Sequence, residues 1–356
     1  MRIGILTFHL ALNYGAVLQC YALQEVLKRM GNNVWVINYQ QHFIRKWFRP
    51  KRLFGLRSFI KAVINKRTGK YIKDSIHPYQ CYYDFSHFRH KYMRLTKKCF
   101  SLHDIPPMDL YVIGSDQPWN PNLTGGTDLV YYGQFSKPES SRIVTYAMSG
   151  SVEAISKVGW ENVAQYANHF DALSFRENAL TKKISEITQR HCETVLDPIL
   201  LTDVDFWLPM IKHRMTKRKY LLLYHVGGPE NVISTMTEKS KLIANKQGLE
   251  FIDASRYQYS PSDFVSLIYH ADFVVTASFH AMVFSIIFHK VFSVVRTGQS
   301  SDLRFINLLN ILGMESCMMD PSKVSMPQEM DYMMIEERLK REKAESISYL
   351  KRISNI

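Results

Sequence analysis

The chain has 356 residues, which at about 150 residues per domain predicts two domains, and its 46% apolar and 22% charged residues are the mixture of a folded soluble protein. Sixteen Gly and 13 Pro exclude a collagen-like or low-complexity chain, while 20 Tyr, 20 Phe and 5 Trp exclude disorder, because so aromatic a chain can bury a large core. Lys and Arg number 45 against 32 Asp and Glu, a net charge of +13 whose distribution says more than its size.

The opening Met1-Arg2-Ile3-Gly4-Ile5-Leu6-Thr7 holds too short an apolar run for a signal peptide. Residues 3–7 read as a first strand. Asn13-Tyr14-Gly15-Ala16 follows and opens a helix over 16–30 that Gly31 stops. A helix N-terminus offers free N–H groups and a partial positive charge. This turn therefore either binds an anion or is an ordinary strand–helix turn with an Asn cap. It is not GxGxxG, so no dinucleotide fingerprint is present. Residues 34–39 read as a second strand.

Residues 41–75 then hold eleven basic side chains against one acid, Asp74, a net of +10. Trp47, Phe48, Phe54 and Phe59 lie between the charges, and Leu53, Leu56, Ile60, Val63 and Ile64 recur at helical spacing. Two readings follow. One is an amphipathic element on an anionic membrane surface, with Lys46, Trp47, Arg49, Lys51 and Arg52 as its contacts. The other is a helix packed on the protein with a solvated basic face. No nucleic-acid-binding motif accompanies the charge, so nucleic acid is not expected as a partner.

A strand over 110–113 runs into Gly114-Ser115-Asp116-Gln117-Pro118-Trp119-Asn120. Asp116 there is either a base or hydroxyl contact, with Gln117 and Trp119 beside it, or a turn residue. Strands over 143–147 and 172–175 follow. The second ends on Arg176-Glu177, where Arg176 is either a fork for a carboxylate or phosphate or a partner of local acids. After Val195-Leu196-Asp197-Pro198 the first domain, residues 1–205, gives way to a polar linker. The second domain, residues 206–330, repeats the rhythm with strands over 220–224, 249–253, 273–276 and 292–295. Gly227-Gly228-Pro229 and a helix ending near Lys246 lie between the first two. Ser278-Phe279-His280-Ala281 follows the third of these strands, and His280 sits where an apolar helix begins, either as a proton carrier or as a structural His. Residues 331–356 read as a charged amphipathic helix that crosses back to the first domain or caps the second.

Strands alternating with helices predict an α/β fold of two doubly wound, Rossmann-like domains facing a cleft. Ligands of such sheets bind beyond the carboxyl ends of the strands, so residues just after strands are the candidates. There is no Walker A loop, HExxH, GxSxG or kinase motif set. Cys20, Cys81, Cys99, Cys192 and Cys317 form no CxxC pair, which argues against a disulfide framework or zinc site and for a reducing cytoplasm. No metal and no cofactor is expected. The most apolar later stretch, 271–295, is broken by Asp272, His280, His289 and Lys290 and is no membrane span. Met318-Met319 and Met333-Met334 read as core fillers.

Taken in order, Asn13-Tyr14-Gly15-Ala16, Gly114-Ser115-Asp116-Gln117-Pro118-Trp119-Asn120, Ser174-Phe175-Arg176-Glu177, Val195-Leu196-Asp197-Pro198 and Ala271 to His280 resemble the polysaccharide pyruvyl transferase family over roughly residues 3–315. The resemblance implies a fold like the GT-B glycosyltransferases and transfer of pyruvate from phosphoenolpyruvate to two sugar hydroxyls as a cyclic ketal. It implies surface or capsular polysaccharide synthesis on a lipid-diphosphate-linked acceptor, at the inner face of the cell membrane. In the family an Arg-Leu-His-Gly stretch contributes to the phosphoenolpyruvate site. Here the His is kept as His280, while Ser278 stands for the Arg and Ala281 for the Gly. On this reading His280 and Asp116 are catalytic. Arg176, Ser278, His280 and Arg296 bind the donor. Asn13, Tyr14, Gly15, Asp116, Gln117 and Trp119 bind the acceptor. Two competing readings use the same residues: a GT-B glycosyltransferase with a nucleotide-sugar donor, and a membrane-surface binding protein that retains the fold.

Overall fold

A computed structural model describes residues 1–48, 68–255, 259–327 and 330–354, with the backbone alone for 68–78. Most of the basic stretch, including Arg49, Lys51 and Arg52, lies outside the described residues. Strands β1 (Arg2–Leu6), β2 (Asn33–Tyr39), β3 (Leu95–Cys99), β4 (Leu110–Ile113) and β5 (Arg142–Thr145) form one sheet in the order β3-β2-β1-β4-β5. Single bridges, Val144 to Ala172 and Met148 to Phe175, join a further pair, β6 (Leu173–Phe175) and β7 (Cys192–Thr194), to its β5 edge. A second sheet holds β8 (Tyr220–His225), β9 (Glu250–Asp253), β10 (Phe273–Ala277), β11 (Phe292–Val295) and β12 (Met318–Met319), in the order β12-β11-β10-β8-β9. Every strand pairing is parallel.

Parallel strands covered on both faces read as unbroken apolar runs. β4 and β11 show this, being buried at every residue. β3 breaks the rule: Lys97 and Lys98 are exposed on this edge strand, which is why it is missing from the strands expected above. The Met318-Met319 pair likewise forms a short edge strand, half-buried, where core filling was expected.

Both domains are doubly wound and Rossmann-like. The strand order reverses between β1 and β4 in the first sheet and between β8 and β10 in the second. One apolar core runs through both. Tyr14 of the first domain stacks on Phe264 of the second with ring centroids 4.2 Å apart, and its hydroxyl donates to the Tyr259 carbonyl at 2.9 Å. Trp207, at the end of the short helix Val204–Trp207, sits between Tyr21 at 5.9 Å and Phe284 at 4.9 Å. Each such aromatic pair adds about 0.5–1.5 kcal/mol beyond its buried area.

The C-terminal helix, Tyr332–Ile353, starts on the second domain, where the Tyr332 hydroxyl donates to the Lys290 carbonyl at 2.6 Å. It ends on the first: Ser346 Oγ accepts from the Leu196 N–H at 2.9 Å and the Tyr349 hydroxyl donates to the Thr145 carbonyl at 2.8 Å. Among the described residues, no helix is long and apolar enough to cross a membrane.

Candidate active site

The two reversals in strand order meet. A cavity of about 400 Å³ is lined from the first domain by Asn13, Asp116, Gln117 and Leu123. From the second it is lined by the Gly227-Gly228 loop after β8, by Ser278, Phe279 and His280 after β10, and by Thr297, Gln299, Ser301 and Arg304 after β11. That size is within the ordinary range for small-ligand sites.

Each lining group is set by its local backbone. Asp116 lies in the left-handed region at φ 67°, which Asp tolerates better than most residues, and its carbonyl accepts from the Ser149 N–H at 2.8 Å. Gly227 and Gly228 lie at φ 126° and 142°, conformations that only Gly adopts readily. His280 is the second residue of the helix Phe279–Ile287 and is buried. Asp302 accepts from the Thr297 N–H at 2.9 Å, the Thr297 hydroxyl at 2.7 Å and the Gly298 N–H at 2.8 Å. This tight turn starts the helix Asp302–Leu312 and carries Arg304 to the cavity.

Two helices begin at this cavity without a side-chain cap, Glu230–Lys246 and Phe279–Ile287, whereas the first N–H groups of Asp302–Leu312 already donate to the Gln299, Ser300 and Ser301 carbonyls. Ser151, Asp203 and Ser260 cap other helices with side-chain oxygens, as Asn13 does at the cavity, while Trp160–Ala167 and Asn178–Thr188 also lack a side-chain cap. Uncapped N-termini leave N–H donors and partial positive charge, which favours an anion. Arg304 adds a full charge. Among the described residues its half-buried guanidinium makes no ion pair or side-chain hydrogen bond. Burial, with the like charge of Arg176, pushes its pKa below the ordinary guanidinium value.

Beneath the cavity wall lies a buried charge cluster. Arg176 Nη1 contacts Asp197 Oδ2, Arg176 Nε lies 3.6 Å from Glu177 Oε1, and the guanidinium stacks 4.6 Å over the Phe279 ring. Glu177 in turn accepts from the Ser149 hydroxyl at 2.6 Å and the Gly150 N–H at 3.3 Å. Burial opposes the Asp197 charge, but His280 and Arg176 beside it outweigh burial and hold its pKa at about 2. His280 Nε2 lies 3.4 Å from Asp197 Oδ2, within charge-contact reach but out of line for a hydrogen bond.

The structure redistributes the residues expected from the sequence. It brings together Asn13, Asp116, Gln117, Ser278 and His280 at one cavity. Asn13 Oδ1 is also the helix cap, accepting from the Ala16 N–H at 3.3 Å. Tyr14 does not reach the cavity, because its ring belongs to the interdomain core. Trp119 is also a core residue, 1% exposed, stacked on Tyr132 at 4.8 Å with its Nε1–H donating to the Tyr131 carbonyl at 2.8 Å. Gly15 offers no open backbone to a ligand, since the His280 ring fills that space. Arg176 lies behind the cavity lining, paired through Nη1 with Asp197 and close to Glu177, while its Nε and Nη2 have no hydrogen-bond partner among the described residues. Arg296 is exposed and outside the cavity lining. Of the membrane contacts, Lys46 and Trp47 are described, and both are exposed on the helix His42–Phe48.

Two residues of weight were not assigned from sequence. Asp197 stood inside a quoted motif with no role, and Arg304 carried no motif at all. Among the described residues, no group of three or more His, Cys, Asp or Glu side chains is placed to hold a metal ion.

In sequence, no curated protein matches the chain. In structure, it is similar to the glycosyltransferase SsfS6 of Streptomyces sp. SF2575, at 12% identity over 98% of this chain and 96% of that one, with a TM-score of 0.39. It is also similar to an alpha-glucosyltransferase solved with UDP and a 13-mer DNA, at 10% identity over 97% and 90% of the two chains, TM-score 0.45. A third is the E. coli heptosyltransferase WaaC, at 11% identity over 83% and 88%, TM-score 0.37. One family model matches, and it spans residues 13–298, from the Asn13 cap through both strand-order reversals to the loop after β11. The chain is a transferase and belongs to the polysaccharide pyruvyl transferase family.

Proposed function

We propose that the protein transfers the pyruvyl group of phosphoenolpyruvate to two hydroxyls of a saccharide, forming a cyclic ketal. The observation that carries this reading is the meeting, in one cavity, of Arg304, unpaired among the described residues, two helix N-termini without a side-chain cap and His280. A small ligand with a carboxylate and a phosphate fits such a set. Arg304 supplies the fork that Ser278 lacks.

The chemistry follows from these groups. A proton added to C3 of the enol makes C2 electrophilic. One sugar hydroxyl adds to C2 and loses its proton. The C2–O bond to phosphate breaks and inorganic phosphate leaves. The second hydroxyl adds to C2, loses its proton and closes the ring. His280 moves protons, Asp116 from the opposite wall orients an acceptor hydroxyl, and Arg304 with the helix N-termini meets the developing negative charge.

We extend the reading to a lipid-diphosphate-linked acceptor in surface polysaccharide synthesis, met at the cytoplasmic membrane face. Its support is Trp47, 71% exposed, beside Lys46 at the point where the chain enters Arg49, Lys51 and Arg52.

The deciding experiment supplies phosphoenolpyruvate or a panel of nucleotide sugars together with oligosaccharide acceptors. Acceptor-dependent phosphate release, with a pyruvyl mass gain on the glycan, is the expected result. Sugar transfer from a nucleotide sugar, with phosphoenolpyruvate inert, would overturn the reading in favour of a glycosyltransferase.

A further inference from the structure

We propose that Asp197 is a positioning residue for His280, holding its Nε2–H and leaving Nδ1 as the atom that moves protons at the cavity. The inference rests on the reading of this cavity as a proton-transfer site.

The two groups come from different domains. His280 enters from the second domain, at the start of the helix Phe279–Ile287. Asp197 lies in the first, at the end of the chain that leaves β7, with its side chain fully buried. The imidazole is held at one edge and on one face. Its Nε2 faces Asp197 Oδ2 at 3.4 Å, and the ring face at Nδ1 covers Gly15. In the proposed state the Nε2–H is turned into line with the carboxylate. Nε2 is a buried nitrogen with no hydrogen-bond partner in the present arrangement, so that bond satisfies it.

Asp197 cannot turn away. Its Oδ1 accepts from the Ile199 N–H at 3.0 Å, capping the turn Pro198–Leu201. Its Oδ2 is held by Arg176, and Arg176 is held in turn by Glu177. An ionised carboxylate accepts hydrogen bonds and donates none. The imidazole nitrogen facing it must therefore carry the hydrogen, and in the neutral ring the lone pair falls on Nδ1. Nδ1 is the other ring nitrogen, over Gly15, and of that turn Asn13 lines the cavity together with His280. The dyad is complete only when both domains are in place, since each contributes one member.

The test reads the ring directly. The full chain with ¹⁵N-labelled histidine is examined by NMR, without substrate, and compared with His280→Gln to assign the signal. The expected spectrum shows the neutral His280 ring as the Nε2–H tautomer. An Nδ1–H tautomer would overturn the proposal. In Asp197→Asn the amide can donate to Nε2 and draw the hydrogen to Nδ1. The variant should lose about 10²–10⁴-fold in kcat with KM for phosphoenolpyruvate little changed. Asp197→Glu, which keeps the charge, should recover part of the loss. An unaltered kcat in Asp197→Asn, or no gain in Asp197→Glu over Asp197→Asn, also counts against it. If Asp197→Asn does not fold, the wild-type tautomer alone decides. Should phosphoenolpyruvate prove not to be the donor while the Nε2–H tautomer is found, the Asp197 assignment stands and the donor assignment falls.

Discussion

The imidazole of His280 occupies the volume that a side chain on Gly15 would fill: a Cβ at Gly15 would lie 1.9 Å from His280 Nδ1. Gly15 was expected to open a helix N-terminus to a ligand. Its bare backbone instead seats a side chain from the other domain. Gly15→Ala must displace that ring, and overpacking of this kind costs about 1–3 kcal/mol. The expected outcome is a small fall in melting temperature with a loss of turnover of about 10-fold or more. Near-normal turnover in Gly15→Ala would show that the ring works from another position.

His280→Ala removes the ring without disturbing the Asp197–Arg176 pair. Turnover should fall by about 10²–10⁴-fold, the range for general acid–base catalysis, while circular dichroism stays that of the parent. A variant with an ordinary rate would take His280 out of the mechanism.

Arg304 and Arg296 make opposing claims on the donor. Arg304 lines the cavity, whereas Arg296 is exposed outside it. A hydrogen bond to a charged group is worth about 1.5–3 kcal/mol, so Arg304→Ala should raise KM for phosphoenolpyruvate by about 10- to 100-fold. Arg304→Lys keeps the charge but loses the planar fork and should still be impaired. Arg296→Ala should bind normally. The reverse pattern would return the donor contact to Arg296.

Asp197 links the site to acid stability. Its pKa falls from 3.8 to about 2 in the folded chain, where His280 and Arg176 outweigh the opposing effect of burial. A depressed carboxyl pKa stabilises the fold above the unfolded value, and that contribution is lost as pH falls through the folded one. The window therefore runs from about pH 4 down to about pH 2, and the stake is on the order of 2 kcal/mol. Urea unfolding across this range should show Asp197→Asn weakened near neutrality and converging on the parent at the acid end. Parallel curves would place the acid sensitivity elsewhere. Arg176→Ala, which strands Asp197 as a buried charge, should be the more damaging change, at about 3–5 kcal/mol.

The exposed pair Lys46 and Trp47 bears on membrane docking. Each basic residue at an anionic surface contributes about 1 kcal/mol, screened over a Debye length of about 10 Å at 0.1 M salt. The parent should sediment with anionic vesicles at low salt and be released at high salt. Replacing Lys46, Arg49, Lys51 and Arg52 with Gln should abolish this while sparing activity on a short soluble acceptor. Equal binding to neutral and anionic vesicles, or none to either, would remove the membrane reading.

The two α/β domains were legible in the sequence because their strands are local and buried on both faces. The runs at 110–113 and 292–295 coincide with β4 and β11, since a strand without a solvent face leaves an uninterrupted apolar signature. The stretches that reach the cavity were legible too, because open sheets present ligands at strand ends whatever the side chains. β3 was not, since an edge strand carrying Lys97 and Lys98 reads as a polar loop.

Side-chain destinations were decided by tertiary packing alone. Tyr14 and Trp119 have the rings a sugar platform needs, and only burial shows that both are spent on the core, with the Trp119 N–H already satisfied by Tyr131. Arg296 and Arg304 flank one loop and carry the same charge. The turn held by Asp302 leads into the helix that carries Arg304, and of the two only Arg304 lines the cavity. Asp197 and His280 stand far apart in the chain, on different domains, and meet only because Tyr14, Trp207 and Phe264 join those domains through one core. Periodicity reports which face of an element is buried. It carries no record of which distant element will cover that face, and the site is built from such meetings.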